Sequence, residues 1–306
     1  MKHLNGIVTA MVTPVDKSGK INTDATAKLT QYLIDSGVTG LFPLGTNGEC
    51  MRFNVEERKK VAETIVSTAR GSNTSVFVHT GAMTEEDTAE LTKHAYSIRA
   101  DGAGIVTPPY FKLNDNELFN FYKRISEVVP NDFPIYVYNI PQCSGNDISY
   151  ELMCRLFDKI PNIIGIKYSF NNDERTRRYC SIEGLSVLHG ADTRYPEMME
   201  IGCDGVVSGL SGAYPKPFVE QASEYSKGNK EAMFRWQKIA KEVAKVSANG
   251  NIAYIKFMIT ERGIDVGEIK LPAFPPLSEE QNIIKSGMKN IDAEIKQLNM
   301  HNLVKR

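Results

Sequence analysis

The feature that most constrains this chain is a regular alternation of short apolar segments with segments of helical period. The first apolar segment, residues 6–14, is rich in β-branched residues and ends at a proline, which is typical of a buried strand. The next segment has an N-cap residue at Asn22, apolar residues at positions 25, 29 and 33, and a stop at Gly37. Residues 54–57, Asn-Val-Glu-Glu, predict a capping box that begins a second helix.

Eight apolar strand candidates follow this pattern, and helical segments separate them. They lie at residues 6–14, 40–45, 75–81, 102–109, 134–140, 163–169, 185–190 and 205–209. Short apolar strands alternating with helices predict a parallel sheet. A count of eight over about 220 residues favours an α/β fold of the closed (β/α)8 TIM barrel type over an open doubly wound sheet. The missing Gly-x-Gly-x-x-Gly after the first strand also argues against a dinucleotide-binding fold.

The pattern changes after Pro217, where the apolar strands stop. Residues from about 229 onward have helical period, and the apolar stripe that includes Met233 and Trp236 predicts packing rather than ligand contact. We therefore expect a barrel domain over residues 1–225 and a C-terminal helical region over residues 226–306 that packs on the barrel.

Composition excludes several classes of function. The formal net charge is −1, from 36 basic and 37 acidic residues, so nothing favours binding to nucleic acid or to an anionic membrane. No apolar run approaches a membrane span, and the start of the chain has no signal-peptide core. The five cysteines are scattered, and Cys143 and Cys203 are interpreted as inert small hydrophobes. We expect a cytoplasmic protein with reduced thiols that binds no metal and no cofactor.

Candidate chemistry collects where the predicted strands end, because barrel active sites lie at the carboxyl ends of the strands. Lys167 stands in an apolar run and Tyr138 near the end of the preceding strand. A buried, unpaired ammonium is costly, so burial would push this lysine toward the neutral form that attacks carbonyls. The alternative interpretation is a strand end with the amine in water. His79 has two interpretations of equal weight, a core histidine and a participant.

The loop Gly45-Thr46-Asn47-Gly48-Glu49 could expose backbone N–H groups to a carboxylate or phosphate, or be an ordinary tight turn. At this point the chain resembles the N-acetylneuraminate lyase and dihydrodipicolinate synthase family, from about residue 6 to residue 277. The matching motifs are this loop, Thr107-Pro108-Pro109-Tyr110, Tyr138-Asn139-Ile140-Pro141, Gly165-Ile166-Lys167 and Gly190-Ala191-Asp192.

The resemblance implies a Schiff base between Lys167 and the ketone of pyruvate or another 2-oxo acid. Tyr138 would be the general acid/base, and Thr46 would connect it to Tyr110, which reaches in from a neighbouring subunit. Family members commonly form tight dimers that pair into homotetramers, so the expected partners are small 2-oxo acids, an aldehyde and further copies of the chain. The implied substrate-binding groups are the N–H groups of Thr46 and Asn47, the Val207 carbonyl and Asp192.

Departures from the family pattern bear on the substrate. Cys143 stands where the synthases have an arginine that grips a second carboxylate, and a thiol cannot replace a bidentate guanidinium. Thr193 follows Asp192 where sialate lyases have glutamate, and Asn47 resembles the branch that cleaves 4-hydroxy-2-oxo acids and 2-keto-3-deoxy sugar acids. We therefore expect an aldolase of that branch. A dihydrodipicolinate synthase, an N-acetylneuraminate lyase, a keto-deoxy sugar acid dehydratase and a non-catalytic 2-oxo acid sensor remain as alternatives.

Overall fold

The computed structural model of the chain describes residues 2–304. Its eight strands pair in parallel in sequence order, and hydrogen bonds between the first and the eighth close the sheet into a barrel. The strands are β1 (Gly6–Thr9), β2 (Gly40–Leu41), β3 (Ser75–His79), β4 (Gly102–Val106), β5 (Ile135–Asn139), β6 (Ile163–Tyr168), β7 (Ser186–His189) and β8 (Gly205–Ser208). The predicted (β/α)8 TIM barrel is therefore confirmed.

Twelve α-helices surround and extend the barrel within residues 2–304. They are α1 (Thr23–Asp35), α2 (Val55–Ala69), α3 (Glu85–Ser97), α4 (Asp115–Ser126), α5 (Pro141–Ser144), α6 (Tyr150–Lys159), α7 (Asp173–Cys180), α8 (Tyr195–Ile201), α9 (Pro215–Ser226), α10 (Lys230–Val246), α11 (Ile252–Glu261) and α12 (Ser278–Val304). The two caps predicted from sequence are confirmed: the Asn22 side chain accepts from the Ala25 N–H, and Asn54 forms a capping box with Glu57.

The apolar residues of the strands divide between two layers. The residues that point inward form a small cluster in the barrel interior: Leu4, Val8, Ala10, Phe42, Phe77, Val106, Tyr136, Tyr138, Ile140, Ile164, Leu188 and Val207. The buried Tyr136 hydroxyl, toward the amino-terminal end of the barrel, accepts from the Leu4 N–H and bonds to Ser186. The candidate catalytic residues Lys167 and Tyr138 lie toward the opposite, carboxyl end, where barrel active sites are found.

An aromatic ring forms the floor of that carboxyl end. Phe42 is fully buried in the barrel interior, and its ring occupies the space that a side chain at Gly104 would need. A Cβ atom at Gly104 would lie 2.3 Å from the ring, a distance that no real contact tolerates. Glycine on β4 thus makes room for the ring on which the candidate site rests.

The helices after the barrel pack on one side of it. The apolar stripe of α10 is buried, including Met233 and Trp236, as its spacing predicts, and α10 packs against α9 and α12. Within residues 2–304, no helix combines the length and the apolar character that a membrane crossing requires. One helix of the barrel, α7, has bounds that the sequence analysis does not give, and Asn172 caps it by accepting from the Arg175 N–H.

Candidate active site

Lys167 and Tyr138 lie side by side at the carboxyl end of the barrel. They are a registered pair on β6 and β5, and both side chains point into the barrel. The Lys167 side chain runs over two aromatic rings, with Nζ 3.5 Å from the ring centre of Tyr138 and 4.6 Å from that of Phe42. Lys167 is only 4% exposed, so the interpretation that its amine stands in water is wrong.

Burial controls the ionisation of this amine. Loss of hydration lowers the pKa of Lys167 to about 7, although the carboxylate of Asp192 acts in the opposite direction. A free lysine with a pKa of about 10.4 is almost entirely protonated at neutral pH and cannot attack a carbonyl. In this barrel a large fraction of the amine is neutral near pH 7, which is the state that a nucleophile needs.

Tyr138 presents a phenol that keeps its proton. Burial raises the pKa of Tyr138 well above its usual range, and a 3.0 Å hydrogen bond with the Thr46 hydroxyl acts against that rise. The rings of Phe42 and His79 contact the phenol edge to face. His79 is buried with Nδ1 bonded to the Leu44 carbonyl, which is the behaviour of a core histidine that supports the tyrosine ring.

The loop of residues 45–49 follows β2 and forms part of the mouth of the barrel. Thr13 fixes it by donating its hydroxyl hydrogen to the Gly48 carbonyl over 2.7 Å. Within residues 2–304, the N–H groups of Thr46 and Asn47 donate to no protein acceptor. The Asn47 amide packs so closely on Gly209, just after β8, that a Cβ atom there would lie 1.9 Å from its nitrogen. This loop can therefore offer two N–H groups to a carboxylate.

A buried ion pair anchors the far end of the same loop. The Glu49 carboxylate lies 3.0 Å from Lys256 Nζ and 2.8 Å from Arg52, and it accepts from the Lys270 N–H. Lys256 is on α11, so the pair connects the loop to the helices that follow the barrel. Sequence reasoning missed Lys256. In the sequence, Lys256 stands out because it is a single charged residue within the otherwise apolar first two turns of α11.

Strands β7 and β8 supply the opposite wall of the site. Asp192 follows β7 and accepts hydrogen bonds from the Ser208 hydroxyl at 2.5 Å and from the Leu210 N–H at 3.1 Å. Burial raises the pKa of Asp192, and these hydrogen bonds counteract the rise. Val207 is buried on β8 beside β1. Ser208 is a further member of the site that the sequence analysis assigned no role.

Tyr110 is the one predicted catalytic residue that the single chain keeps apart from the others. It is 79% exposed, packs edge to face on Phe111, and has a positive φ of 78°. Cys143 is also exposed, on the short helix α5. Within residues 2–304, no group of three or more His, Cys, Asp or Glu side chains could hold a metal ion.

Comparison with known proteins places this geometry in context. The model of the "Dihydrodipicolinate synthetase family" matches residues 3–291. A 4-hydroxy-tetrahydrodipicolinate synthase of Thermotoga petrophila is 30% identical over 93% of this chain and 97% of its own length. An N-acetylneuraminate lyase of Mediterraneibacter gnavus is 29% identical over 95% and 93%. A crystal structure of an Escherichia coli K12 prophage protein of the dihydrodipicolinic acid synthase family, in complex with pyruvate, superimposes with a TM-score of 0.88 at 26% identity, covering 94% of this chain and 98% of that one.

Proposed function

The chain belongs to the dihydrodipicolinate synthetase family, and from this premise we propose that it is a Schiff-base aldolase that reversibly cleaves a hydroxylated 2-oxo acid into pyruvate and an aldehyde. Members of the family are lyases that act as pyruvate aldolases, and the chain is a lyase of this kind. The observation that carries the proposal is the buried Lys167 amine, with its pKa lowered to about 7 and the Tyr138 phenol beneath it.

In the proposed reaction the neutral Lys167 amine attacks the C2 carbonyl of the 2-oxo acid. Tyr138 donates its proton to the hydroxyl that leaves as water, and a protonated imine and a phenolate remain. The positive imine stabilises this phenolate, whose proton affinity is high in a buried site. The phenolate then takes the proton of the C4 hydroxyl. The C3–C4 bond breaks, its electron pair enters the imine, and the aldehyde departs.

Tyr138 then gives its proton to C3 of the resulting enamine. Water hydrolyses the protonated imine and the phenolate takes the proton that is released, so pyruvate leaves and both Lys167 and Tyr138 are restored. The Thr46 hydroxyl, 3.0 Å from the phenol oxygen, supports this role by fixing the orientation of the phenol. Within residues 2–304 the N–H groups of Thr46 and Asn47 have no protein acceptor, which supports binding of the substrate carboxylate. The family resemblance implies that the Val207 carbonyl would line the imine. The carboxylate would thus be fixed at the mouth with C2 directed to Lys167.

Two residues support a substrate whose aldehyde portion has no carboxylate. Cys143 is exposed on α5, which follows the Tyr138 strand, and a thiol at this position offers no guanidinium to a second carboxylate. Asparagine at the loop position of Asn47 resembles the branch of the family that cleaves 4-hydroxy-2-oxo acids and 2-keto-3-deoxy sugar acids. We therefore propose a substrate of one of these two classes.

Two relatives named above are a 4-hydroxy-tetrahydrodipicolinate synthase and an N-acetylneuraminate lyase, so these two reactions are alternatives to the proposed one. A keto-deoxy sugar acid dehydratase would use the same lysine. A non-catalytic sensor of 2-oxo acids would need the carboxylate-binding loop but no proton relay, and the Tyr138–Thr46 hydrogen bond argues against it.

Borohydride trapping tests the common step. Incubation with pyruvate and sodium borohydride should add one reduced pyruvyl group per chain. The modified lysine resists trypsin, so the adduct should appear on the uncleaved peptide 160–175. Lys167→Ala should gain no adduct, and an adduct on another lysine would refute the proposed nucleophile.

A substrate panel then separates the reactions. We expect pyruvate release from a 4-hydroxy-2-oxo acid or a 2-keto-3-deoxy sugar acid, and little condensation of pyruvate with aspartate semialdehyde. Efficient condensation with the semialdehyde would overturn the interpretation of Cys143 and favour the synthase.

A further inference from the structure

Two thiols lie against each other outside the candidate active site. Cys180 is the last residue of α7, and Cys203 lies in the turn between α8 and β8. Their sulfur atoms are 3.9 Å apart, although the residues are 23 positions apart in sequence. The other three cysteines are Cys50, Cys143 and Cys154, and within residues 2–304 none of them forms a hydrogen bond with a second thiol.

The end of α8 is shaped to bring these thiols together. Gly202 ends the helix with a φ of 109°, and the N–H groups of Gly202 and Cys203 then bond back into α8. A Cβ atom at Gly202 would lie 3.4 Å from the Cβ of Cys180, so this turn packs directly against the end of α7. The turn thus presents Cys203 directly to the Cys180 side chain.

The two thiols differ in access and in acidity. Cys180 is half-buried, whereas Cys203 is only 6% exposed. A hydrogen bond from Cys203 lowers the pKa of Cys180, and the same contact together with burial raises the pKa of Cys203. Cys180 is therefore the better nucleophile, and Cys203 is the adjacent, more buried thiol.

We propose that Cys180 and Cys203 form a site of reversible oxidation that reacts with hydroperoxides and closes to an intramolecular disulfide. The Cys180 thiolate attacks one oxygen of hydrogen peroxide, so an S–O bond forms, the O–O bond breaks, and the released hydroxide takes a proton to become water. The Cys203 sulfur then attacks the Cys180 sulfenic acid. The S–O bond breaks, and the departing hydroxide takes the Cys203 proton as a second water.

Only a small movement separates the thiols from a disulfide, in which the sulfur atoms are about 2.05 Å apart. The bond would tie the end of α7 to the segment that enters β8. The start of α7 is already tied to the neighbouring loop, because Asp173 pairs with Arg194 at 2.7 Å. Oxidation would then fasten both ends of α7, and we expect it to raise the melting temperature by a few degrees.

Peptide mapping of the full chain tests the proposal. The protein is treated with a slight excess of hydrogen peroxide, alkylated in denaturant and digested with trypsin without reduction. Peptides 179–194 and 195–227 each contain one of the two cysteines, and we expect them as one disulfide-linked pair. Alkylated thiols should fall from five to three per chain, and thiol reduction should restore five.

Two variants separate the steps. Cys203→Ser should retain the Cys180 sulfenic acid, which dimedone labels, whereas the wild-type chain should give little label. Cys143→Ser removes an exposed cysteine outside the pair and should leave the linked peptides unchanged. Peroxide treatment that leaves Cys203 open to alkylation, or that oxidises Cys180 to the sulfinic acid without the linked peptides, would overturn the proposal.

Discussion

Ionisation of the Lys167 amine sets the expected pH dependence of imine formation. Only the neutral amine attacks, and its pKa is lowered to about 7. The rate constant for borohydride-trapped imine formation with pyruvate should therefore rise as the pH increases through 7 and then level off. In Asp192→Asn the opposing carboxylate is absent, so the midpoint should move to lower pH. A wild-type midpoint above pH 9 would show that the amine is not desolvated.

The same burial should make Lys167 a source of instability. Its pKa in the folded chain lies below that of the unfolded chain, so the unfolded state holds more protons between about pH 7 and pH 10.4. The penalty is complete below pH 7 and disappears as the pH rises past the unfolded value. Lys167→Met should raise the free energy of unfolding at pH 7, on the order of a few kcal/mol, and less at pH 10. Urea unfolding at the two pH values measures this, and an equal gain at both would contradict it.

Gly209 offers a test of the carboxylate-binding loop. A methyl group there would collide with the Asn47 amide, so Gly209→Ala should displace the loop and raise the KM for the 2-oxo acid about tenfold or more. The matched control is Gly212→Ala, because its new Cβ atom would have no neighbour closer than 3.8 Å. Initial rates over a range of substrate concentrations compare the two. Equal KM values would mean that the position of Asn47 has no effect on binding.

The strands and helices differ in how readily the sequence predicts them. Apolar strands and capped helices have local sequence patterns that predict them, and Asn22 and Asn54 cap their helices as predicted. The bounds of α7 are harder to predict, because this helix is mostly charged and its buried residues are Thr176 and Tyr179. It has only a short apolar stripe, and its cap is a single asparagine.

Contacts between distant elements could not be predicted from local patterns. The Tyr138–Thr46 hydrogen bond joins residues 92 positions apart, and the Glu49–Lys256 pair joins residues 207 apart. The family resemblance implied the first contact because both residues lie in its motifs. The charge in the apolar start of α11 marks Lys256 but does not identify Glu49 as its partner, since that contact depends on how α11 packs against the loop after β2.

The Glu49–Lys256 pair predicts that α11 helps to position the loop of residues 45–49. Glu49→Gln leaves the buried Lys256 ammonium without its carboxylate and should lower the free energy of unfolding by about 3–5 kcal/mol. Lys256→Met should lower it less, because Glu49 keeps its pair with Arg52 at 2.8 Å. Both variants should also raise the KM for the 2-oxo acid, because the loop of residues 45–49 loses the ion pair between Glu49 and Lys256 that anchors it. The combined variant should recover part of the stability, since neither charge remains.

Two measurements keep this positioning role separate from simple loss of folding. The midpoint of the pH dependence of imine formation should stay unchanged in Lys256→Met, since Lys167 remains buried. The control is Lys285→Met, which removes an exposed pair with Glu261. A fall in turnover with no change in KM would argue against control of the loop.

An exposed aromatic pair follows β4 and lies apart from the other predicted catalytic residues. Tyr110 and Phe111 are 79% and 71% exposed, next to each other after β4. Large exposed aromatic side chains are typical of buried contact cores between subunits. The family resemblance implies that Tyr110 completes the proton relay of a neighbouring copy, and we propose a homo-oligomer, a dimer or a tetramer built from two dimers, with this contact at its centre.

A mixing experiment tests this shared site. Lys167→Ala cannot form the imine, and Tyr110→Phe should form it but turn over slowly because its relay lacks a hydroxyl. In a mixed dimer one site would contain an intact Lys167 together with the other chain's intact Tyr110, so activity should partly return on mixing. Tyr96→Phe, which removes a hydroxyl from a partly exposed tyrosine on α3, is the matched control and should keep full activity. Subunit exchange is first verified by native mass spectrometry. If the subunits exchange and no activity returns, Tyr110 acts within its own chain or not at all, and the exposed aromatic pair must have another role.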